Sequence, residues 1–311
     1  MLYIVLSTYN GSKYLQEQLN SIKSQDYSDW KMLIRDDGST DTTRNILSQF
    51  ANSLPNKIQL FFGDNIGWVA SYFMLIQLLP HDCEYVSFCD QDDVWKPNKL
   101  SLALKSLQIS ATSSPLLYCS RVEVVDETLG SPWIPDMPSK KLSLANAVFD
   151  TYVQGCTVVI NKSALNVMLQ TLPNCNNCIS HDIWMNLLLS SVGIIIYDHH
   201  ATMLYRQHMN STVGRPRGIK ALKRKILFLF HTLFNLKPAT HITKTRQIRE
   251  FKRTCYHILS AKNQQTIDYF LQCADCKKLL PRIKLIMQSP FYKQNAFLSL
   301  VLKIIWCIRE I

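Results

Sequence analysis

Three carboxylates fall within four positions directly behind an apolar run in the stretch VSFCDQDDVWKPNKL, residues 86–100. Such crowding is tolerated only if a cation screens the charges, if one carboxyl stays protonated, or if water solvates the group. Asp90 and Asp92 stand two positions apart, so in an extended segment both point to the same side. There Mg²⁺ or Mn²⁺ could bridge them to a phosphate. Asp93 alternates to the other side, where we expect it to cap the following helix.

The first hundred residues alternate between short apolar runs and amphipathic segments. The runs 2–7, 30–34, 57–63 and 85–89 have the length of strands, and segments with apolar residues at helical spacing lie between them. This alternation predicts a parallel sheet covered by helices, in which ligands bind beyond the carboxyl ends of the strands. The polar residues in those positions are Thr8, Tyr9 and Asn10; Asp36 and Asp37; Asp64, Asn65 and Gly67; and Asp90, Gln91 and Asp92. We therefore expect four loops to meet at one crevice.

The remainder of the chain is less regular, and the charge changes sign along it. Runs 115–127 and 156–165 indicate further strands, and the chain from Gly218 onward has a helical pattern. Residues 1–214 carry 14 Lys and Arg against 19 Asp and Glu, whereas residues 215–311 carry 20 against 4. The net charge of +11 thus combines a first part at −5 with a tail at +16, which predicts two regions with different partners.

The composition supports a folded protein with reduced thiols. At 311 residues with 47% hydrophobic content, the chain is long enough to bury a substantial core. Its ten cysteines are scattered through apolar segments, which is typical of reduced core thiols and not of a disulfide framework.

Neither a signal peptide nor a membrane-spanning helix is expected. The opening MLYIVLSTYNGS lacks a basic n-region and a cleavage site, so we expect a cytoplasmic protein. No uninterrupted apolar run reaches the roughly 18 residues of a spanning helix. The shorter runs 226–236 and 296–308 lie among basic residues and could place helices in the headgroup layer of an anionic membrane. The alternative is a helical tail folded over the main domain, with its lysines in solvent.

Several segments together resemble the inverting family-two glycosyltransferases of the GT-A fold. They are VLSTYNGSKYLQEQLNSIKSQ, LIRDDGSTDTT, DNIGWVASYFML, FCDQDDVW, VQGCTVVINKSAL and SHDIWMNLL, in the order and spacing that the family shows. They cover residues 2 to about 212. DQDDVW, HDIW and YRQH followed by NST look most like the bacterial rhamnosyltransferase branch of surface polysaccharide synthesis. The resemblance implies an α/β, Rossmann-like, mostly parallel sheet in a GT-A domain over residues 1–214, and a basic helical C-terminal region over 215–311.

The resemblance also implies roles for individual residues. Asp182 would be the catalytic base, and Asp92 would ligate a divalent metal, with Asp90 and His208 as further candidate ligands. Thr8 and Asp37 would hold a pyrimidine base, Asp90 the ribose or deoxyribose, and Gly155 would let the backbone run close beneath the donor sugar. The full set of expected donor contacts is Thr8, Tyr9, Asn10, Asp36, Asp37, Asp90, Gln91 and Gly155.

Four of the notable residues also have simpler interpretations. For His181, a surface position beside a helix start is favoured over a direct catalytic role. His208 could instead be a satisfied structural histidine. Trp95 and Trp184 could stack on a sugar or base, but buried core positions are more common for large aromatics. Arg206 stands out as a basic residue that could serve a phosphate, since other Lys or Arg candidates are not obvious.

The resulting hypothesis is a transferase that moves L-rhamnose from dTDP-L-rhamnose to a lipid-linked saccharide at the inner face of the cytoplasmic membrane, in O-antigen or other surface polysaccharide synthesis. One alternative is a family-two transferase that uses UDP-linked glucose, galactose or N-acetylhexosamine. A nucleotidyltransferase would need a Gly-rich and Lys/Arg-rich signature that STYNGSKY lacks. A nucleic-acid-binding role has support only in residues 215–311, where no known motif occurs, and nucleic acid is not an expected partner.

Overall fold

The computed structural model describes residues 1–110, 113–208, 243–308 and 311. Eight strands form a single sheet in the order β3-β2-β1-β4-β7-β6-β8-β5. The strands are β1 (Leu2–Thr8), β2 (Trp30–Asp37), β3 (Ile58–Gly63), β4 (Tyr85–Cys89), β5 (Val94–Trp95), β6 (Leu116–Val125), β7 (Val159–Asn161) and β8 (Ile194–Arg206).

The first four strands are parallel to one another, as the alternating sequence pattern predicts. β1 pairs in parallel with β2 and β4, and β2 pairs in parallel with β3. The register sets Thr8 beside Asp36 and Leu6 beside Cys89, so the carboxyl ends of these strands lie at one edge of the sheet. Beyond β4 the sheet is mixed, because β7 is antiparallel to its neighbours β4 and β6 while β6 and β8 run parallel.

Helices cover both faces of the sheet. In the described residues they are α1 (Leu15–Lys23), α2 (Thr43–Ser53), α3 (Trp68–Gln77), α4 (Lys99–Ile109), α5 (Leu144–Ala147), α6 (Lys162–Gln170), α7 (His181–Val192), α8 (Lys244–Cys255), α9 (Ala261–Asp275), α10 (Leu279–Gln288) and α11 (Ala296–Ile308). Successive residues of β1 enter opposite cores: Ile4 packs with α1, α2 and α4, whereas Val5 packs with α3, α6 and α7. Central strands buried on both faces explain the uninterrupted apolar runs in the sequence.

The C-terminal helices are folded over the sheet domain. Trp306 of α11 lies with its ring centroid 5.5 Å from that of Phe149 and 4.6 Å from that of Phe270, and Phe251 of α8 packs edge-on against Trp184. These rings belong to the same core cluster as Val5. The predicted boundary between residues 214 and 215 and the apolar run 226–236 lie outside the described residues. Among the described residues, the helices are all too short or too polar to cross a membrane.

Two expectations about local structure are wrong. Residues 156–165 form only the short strand β7 and then the start of α6, because the Asn161 side chain caps the helix by accepting a hydrogen bond from the backbone of Ala164 at 3.0 Å. Asp93 does not cap α4, which begins after Asn98. The intervening strand β5 pairs with β8, and Asp93 is turned into the protein, where it accepts a hydrogen bond from the Arg206 backbone at 3.0 Å.

Candidate active site

Side chains tie the four strand-end loops together. The Gln91 amide pairs with the backbone of Tyr9 in both directions, accepting at 2.9 Å and donating at 3.1 Å. Asn10 accepts from the backbone N–H of Thr40 at 2.8 Å, and its own N–H donates to the Ser39 hydroxyl. These contacts join the loop after β1 to the loops after β4 and β2. The loops after β1, β2 and β4 therefore meet at one edge of the sheet, as the strand order implied.

Asp36 is fully buried at the end of β2, and all its acceptor positions are used. Its Oδ1 accepts from the Ser39 backbone at 3.0 Å and from Arg44 Nε at 2.6 Å, while its Oδ2 accepts from the hydroxyls of Thr8 and Ser39. Burial alone would raise the pKa of Asp36, but the hydrogen bonds from Ser39, Arg44 and Thr8 lower it below its ordinary value. A carboxylate offers about four lone-pair sites, so Asp36 has none left for a ligand.

Asp37 is also buried but retains one acceptor position. Its Oδ1 accepts from the Arg35 guanidinium and from the Ile66 backbone at 2.8 Å, and its Oδ2 accepts from the Gly67 backbone at 2.9 Å. Arg35 in turn donates to the backbone carbonyl of Asp64 at 2.8 Å, so the loops after β2 and β3 are joined here. Of the four lone-pair sites of a carboxylate, one on Oδ2 of Asp37 remains.

Asp90 lies at the centre of a group of carboxylates. Its Oδ1 accepts a hydrogen bond from the Tyr72 hydroxyl at 2.9 Å. Burial raises the pKa of Asp90 to about 7, and the nearby charges of Asp92 and Asp182 add to the rise. Asp92 and Asp182, which the sequence analysis assigned to different roles, are therefore both close enough to act electrostatically on the same carboxyl group.

Asp92 forms a direct pair with His208. Asp92 Oδ2 and His208 Nε2 are 2.8 Å apart, and the Asp92 side chain is 26% exposed, so it is reachable from solvent. Within the described ranges, the contact with His208 is the only salt bridge that Asp90 or Asp92 makes with a basic side chain. Among the described residues, the groups of three possible metal ligands whose ligand atoms lie within 4.8 Å of one another do not include Asp92 or His208. One such group consists of Asp90, Asp93 and Cys156.

Arg206 positions the loop and is not available to a phosphate. Its side chain is only 2% exposed, and its donors go to the Asp92 carbonyl at 2.9 Å, the Glu127 carbonyl at 2.6 Å and the Glu17 carboxylate. The guanidinium also lies 4.6 Å from the centroid of the Tyr14 ring. Arg206 therefore does not have the phosphate-binding role suggested by the sequence. Its role is structural, because it holds the backbone of Asp92.

Asp182 stands in the first turn of α7 with one oxygen fixed. Its Oδ1 accepts hydrogen bonds from the Ser180 hydroxyl and from the Ile183 backbone at 2.8 Å, and Ser180 also caps the helix. Among the described residues, no hydrogen bond reaches Oδ2 of this half-buried side chain. A carboxylate held by one oxygen, with the other available, can accept a proton in a defined direction.

Gly155 packs against the start of α7. A Cβ atom at this position would meet His181 Nε2 at 2.8 Å and Asp182 Cβ at 3.3 Å. The next residue, Cys156, has its thiol within 4.8 Å of the carboxylates of Asp90 and Asp93. The turn at 155–156 therefore contacts the start of α7 on one side and the carboxylates of Asp90 and Asp93 on the other, and the close approach that requires glycine here is to His181.

His181 is buried, contrary to the surface position expected from the sequence. It is 3% exposed and stacks on the Tyr72 ring at 4.0 Å between centroids, with Trp68 against its edge. Neither ring nitrogen has a hydrogen-bond partner. Burial lowers the pKa of His181 to about 4, although the Asp182 charge opposes the shift. The ring is therefore neutral at pH 7 and fills the space between Tyr72 and Gly155.

The structure adds residues that the sequence did not single out. Tyr72 lies within the apolar pattern of α3, which gives no sign that its hydroxyl reaches Asp90. Ser180 is likewise not distinguished in the sequence from other serines beside a helix start, although its hydroxyl donates to Asp182 Oδ1. Trp95 and Trp184 are core residues at 3% and 0% exposure, as their simpler interpretation predicts.

Comparison with known proteins identifies the family. The family model described as Glycosyl transferase family 2 matches residues 3–167. The dTDP-rhamnosyl transferase RfbG of Shigella flexneri is 31% identical over 245 residues, covering 76% of this chain and 83% of the relative. The putative teichuronic acid biosynthesis glycosyltransferase TuaG of Bacillus subtilis is 25% identical over 229 residues, covering 72% of this chain and 85% of the relative.

The fold is also shared with a solved structure. The crystal structure of S. aureus TarS 1–349 in complex with UDP-GlcNAc superposes with a TM-score of 0.54 at 16% identity, covering 92% of this chain and 78% of that one. The predicted GT-A class, with a mostly parallel sheet in its first half and helices on both faces, is thereby confirmed. Because the family model spans more than half of its length and a relative of the same kind is 31% identical over 76% of it, the chain belongs to glycosyl transferase family 2 and is a glycosyltransferase.

Proposed function

We propose that this glycosyltransferase moves L-rhamnose from dTDP-L-rhamnose to a hydroxyl of a lipid-linked saccharide, with inversion, in the synthesis of O-antigen or another surface polysaccharide. The observation that carries the donor assignment is the similarity to the dTDP-rhamnosyl transferase RfbG over most of both chains. Names of other relatives, TuaG and a putative colanic acid glycosyl transferase of Escherichia coli, support polysaccharide synthesis.

In this proposal the donor nucleotide lies against the loops after β1, β2 and β4. The lone-pair site left on Asp37 Oδ2 suits the N3 hydrogen of thymine or uracil, whereas the saturated Asp36 supports Thr8 and the loop around Ser39. Tyr9 is 48% exposed and offers a ring face beside the same loops. Tyr9, Asn10 and Gln91 hold the loops in register, so the nucleotide meets a surface that is already formed.

The residues around Asp92 fit a divalent metal ion. A carboxylate and an imidazole 2.8 Å apart lie beside Asp90, whose pKa is raised by burial and by its acidic neighbours, and in the described part of the chain no Lys or Arg forms a salt bridge with Asp90 or Asp92. Asp92 and His208 would hold the ion, with Asp90 next to them. Such an ion, when bound, offsets the negative charge of a departing diphosphate.

Asp182 is the proposed general base. Its fixed Oδ1 orients the carboxylate, and Oδ2 would accept the proton of the attacking acceptor hydroxyl. Inversion requires that this hydroxyl approach the sugar from the side opposite the diphosphate. The positions of Asp182 at the start of α7 and of Asp92 after β4, on different elements, support this division of roles. General-base catalysis contributes about 10²- to 10⁴-fold to the rate.

The experiment that tests these roles separates donor binding from transfer. We expect Asp92→Ala to weaken Mn²⁺-dependent binding of dTDP in calorimetry about 100-fold or more, because the main exposed metal ligand is lost. Asp182→Asn should leave dTDP binding unchanged and reduce turnover about 10³-fold. Asp26→Asn, a change of the same kind at an exposed position, is the control. Undiminished turnover in the Asp182→Asn protein would remove the proposed base.

The donor sugar is tested by turnover with a panel of nucleotide sugars, with and without Mn²⁺. We expect dTDP-L-rhamnose to give the highest kcat/KM. The second candidate is a UDP-linked sugar, for which the fold shared with the UDP-GlcNAc complex of TarS is the only specific support. If UDP-glucose or UDP-GlcNAc gave the higher kcat/KM, the rhamnose assignment would be wrong while the family would stand.

The proposal includes peripheral contact with the inner face of the cytoplasmic membrane. A lipid-linked acceptor is held at an anionic surface, and the net charge of +16 over residues 215–311 favours attraction to such a surface. Among the described residues, the candidate surface for this contact lies on helices α10 and α11.

A further inference from the structure

Helices α10 and α11 expose large apolar side chains along one face each. Among the described residues, 19 large hydrophobic side chains are exposed, and eight of them lie in these two neighbouring helices. We define the C-terminal apolar face by these eight: Leu279, Leu280, Ile283 and Met287 of α10, and Phe297, Leu300, Ile304 and Ile308 of α11. Single exposed apolar residues are normal on a protein surface, whereas a contiguous group indicates an interaction site.

The spacing of these residues follows the helical repeat. In α10 the steps from 279 to 283 and 287 are four residues each, and in α11 the steps from 297 to 300, 304 and 308 are three, four and four. Other positions of the two helices are buried in the main core: Ile286 in α10, and Leu302 and Trp306 in α11. Each helix is therefore apolar on two sides, one that the protein covers and one that faces outward.

The two helices are fixed to each other by hydrogen bonds, so their exposed sides belong to neighbouring elements. Arg282 of α10 donates a hydrogen bond to the Trp306 carbonyl at 2.7 Å, and Lys303 of α11 donates to the Ser289 carbonyl at 2.7 Å. Since both buried sides enter the same core cluster, both exposed sides point away from it.

The charged side chains within α10, α11 and their connection have a single sign. Residues 277–308 contain six Lys and Arg and no Asp or Glu. Lys277, Lys278 and Lys284 are exposed beside the apolar residues of α10. An apolar face bordered by cations matches the boundary between the acyl chains and the headgroups of an anionic bilayer. A symmetric contact between two copies would instead bring two such basic borders together.

We propose that the C-terminal apolar face is a monotopic membrane-docking surface that inserts into the headgroup layer of an anionic bilayer. The helices are about 15 and 20 Å long, too short to span a hydrocarbon core of about 30 Å, so they lie in the plane of the membrane. This inference rests on the proposed lipid-linked acceptor and adds to it the surface by which the enzyme reaches that acceptor.

The test measures vesicle binding of the full chain by flotation. Vesicles of phosphatidylcholine alone are compared with vesicles that also contain phosphatidylglycerol, at low and high salt. We expect binding to the anionic vesicles that is at least tenfold tighter and weakens with salt. The double variant Leu280→Glu/Phe297→Glu should lose binding at least tenfold. Ile109→Glu is the matched control, because Ile109 is 75% exposed on α4 outside the face and should tolerate the same change without loss.

Three results would overturn the proposal. The first is unchanged vesicle binding of the double variant, and the second is an equal loss of binding in Ile109→Glu. The third is a wild-type dimer in sedimentation velocity that is monomeric in the double variant, with no vesicle binding by either protein. A melting curve of the double variant equal to wild type shows that folding is intact. Turnover with a soluble saccharide acceptor should also remain at the wild-type level. If that turnover is absent in the wild type, the proposed function has failed. The membrane proposal is tested separately, because vesicle binding is measured without any substrate.

Discussion

The strand-end loops bury polar groups, whereas the C-terminal helices expose apolar ones. Asp36, Asp93 and His181 are 0%, 1% and 3% exposed, while Leu280 and Phe297 are 78% and 68% exposed. Both arrangements cost free energy in an isolated protein, the first through lost solvation and the second through apolar surface left in water. The two regions thus differ in what would offset these costs: a charged, oxygen-rich ligand at the strand-end loops and, in our proposal, a lipid surface at the C-terminal helices.

The largest effect expected from this comparison concerns the two sides of α11. Trp306→Ala should lower the free energy of unfolding by about 3–5 kcal/mol, because the fully buried ring contacts Phe149, Phe270 and Phe291. Phe297→Ala should change it by no more than about 0.5 kcal/mol, since Phe297 is 68% exposed. Urea denaturation measures both. Similar losses in the two variants would mean that the outward side of α11 is covered by protein in solution.

The buried histidine predicts a specific dependence of stability on pH. The pKa of His181 is about 4 in the folded protein against an ordinary value of 6.5, so the unfolded chain takes up the proton first as the pH falls. The stability associated with the neutral ring is therefore complete above pH 6.5 and is lost towards pH 4, by about 3 kcal/mol.

His181→Phe removes this titration while keeping an aromatic ring on Tyr72. Unfolding free energies of the two proteins, measured by urea denaturation from pH 7 to pH 4, should diverge by about 3 kcal/mol, with the wild type losing more. Carboxyl groups titrate in both proteins and cancel in the difference. Parallel curves would show that the ring is hydrated and not buried as described.

The smallest effect is expected at Gly155, where the packing against His181 can be disturbed without removing a polar group. In Gly155→Ala the new Cβ would lie 2.8 Å from His181 Nε2, so the start of α7 and Asp182 must shift. We expect turnover to fall about tenfold because the proposed base, Asp182, is displaced, while dTDP binding is unchanged. Gly130→Ala, in a surface turn, is the control. A loss of affinity for dTDP-L-rhamnose with an unchanged affinity for dTDP would instead favour a contact between Gly155 and the donor sugar.

The sequence alone was sufficient to predict the parallel half of the sheet and the meeting of four loops at its edge. Apolar runs of strand length, each followed by polar residues, are local features, and parallel pairing necessarily brings their carboxyl ends together. The same logic failed for residues 156–165, because an Asn161 cap ends the strand pattern that the composition suggests.

What only the tertiary structure decided is which polar group has a partner. Arg206 holds the backbone of Asp92 across 114 positions of sequence, and Asp93 is turned to the same arginine and not to the nearby helix. Asp36 is saturated while its neighbour Asp37 keeps one acceptor site, although the two have identical side chains. Hydrogen-bond partners and burial come from elements far apart in the chain, so the sequence determined where the carboxylates gather, and the packing of those elements determined which of them can meet a ligand.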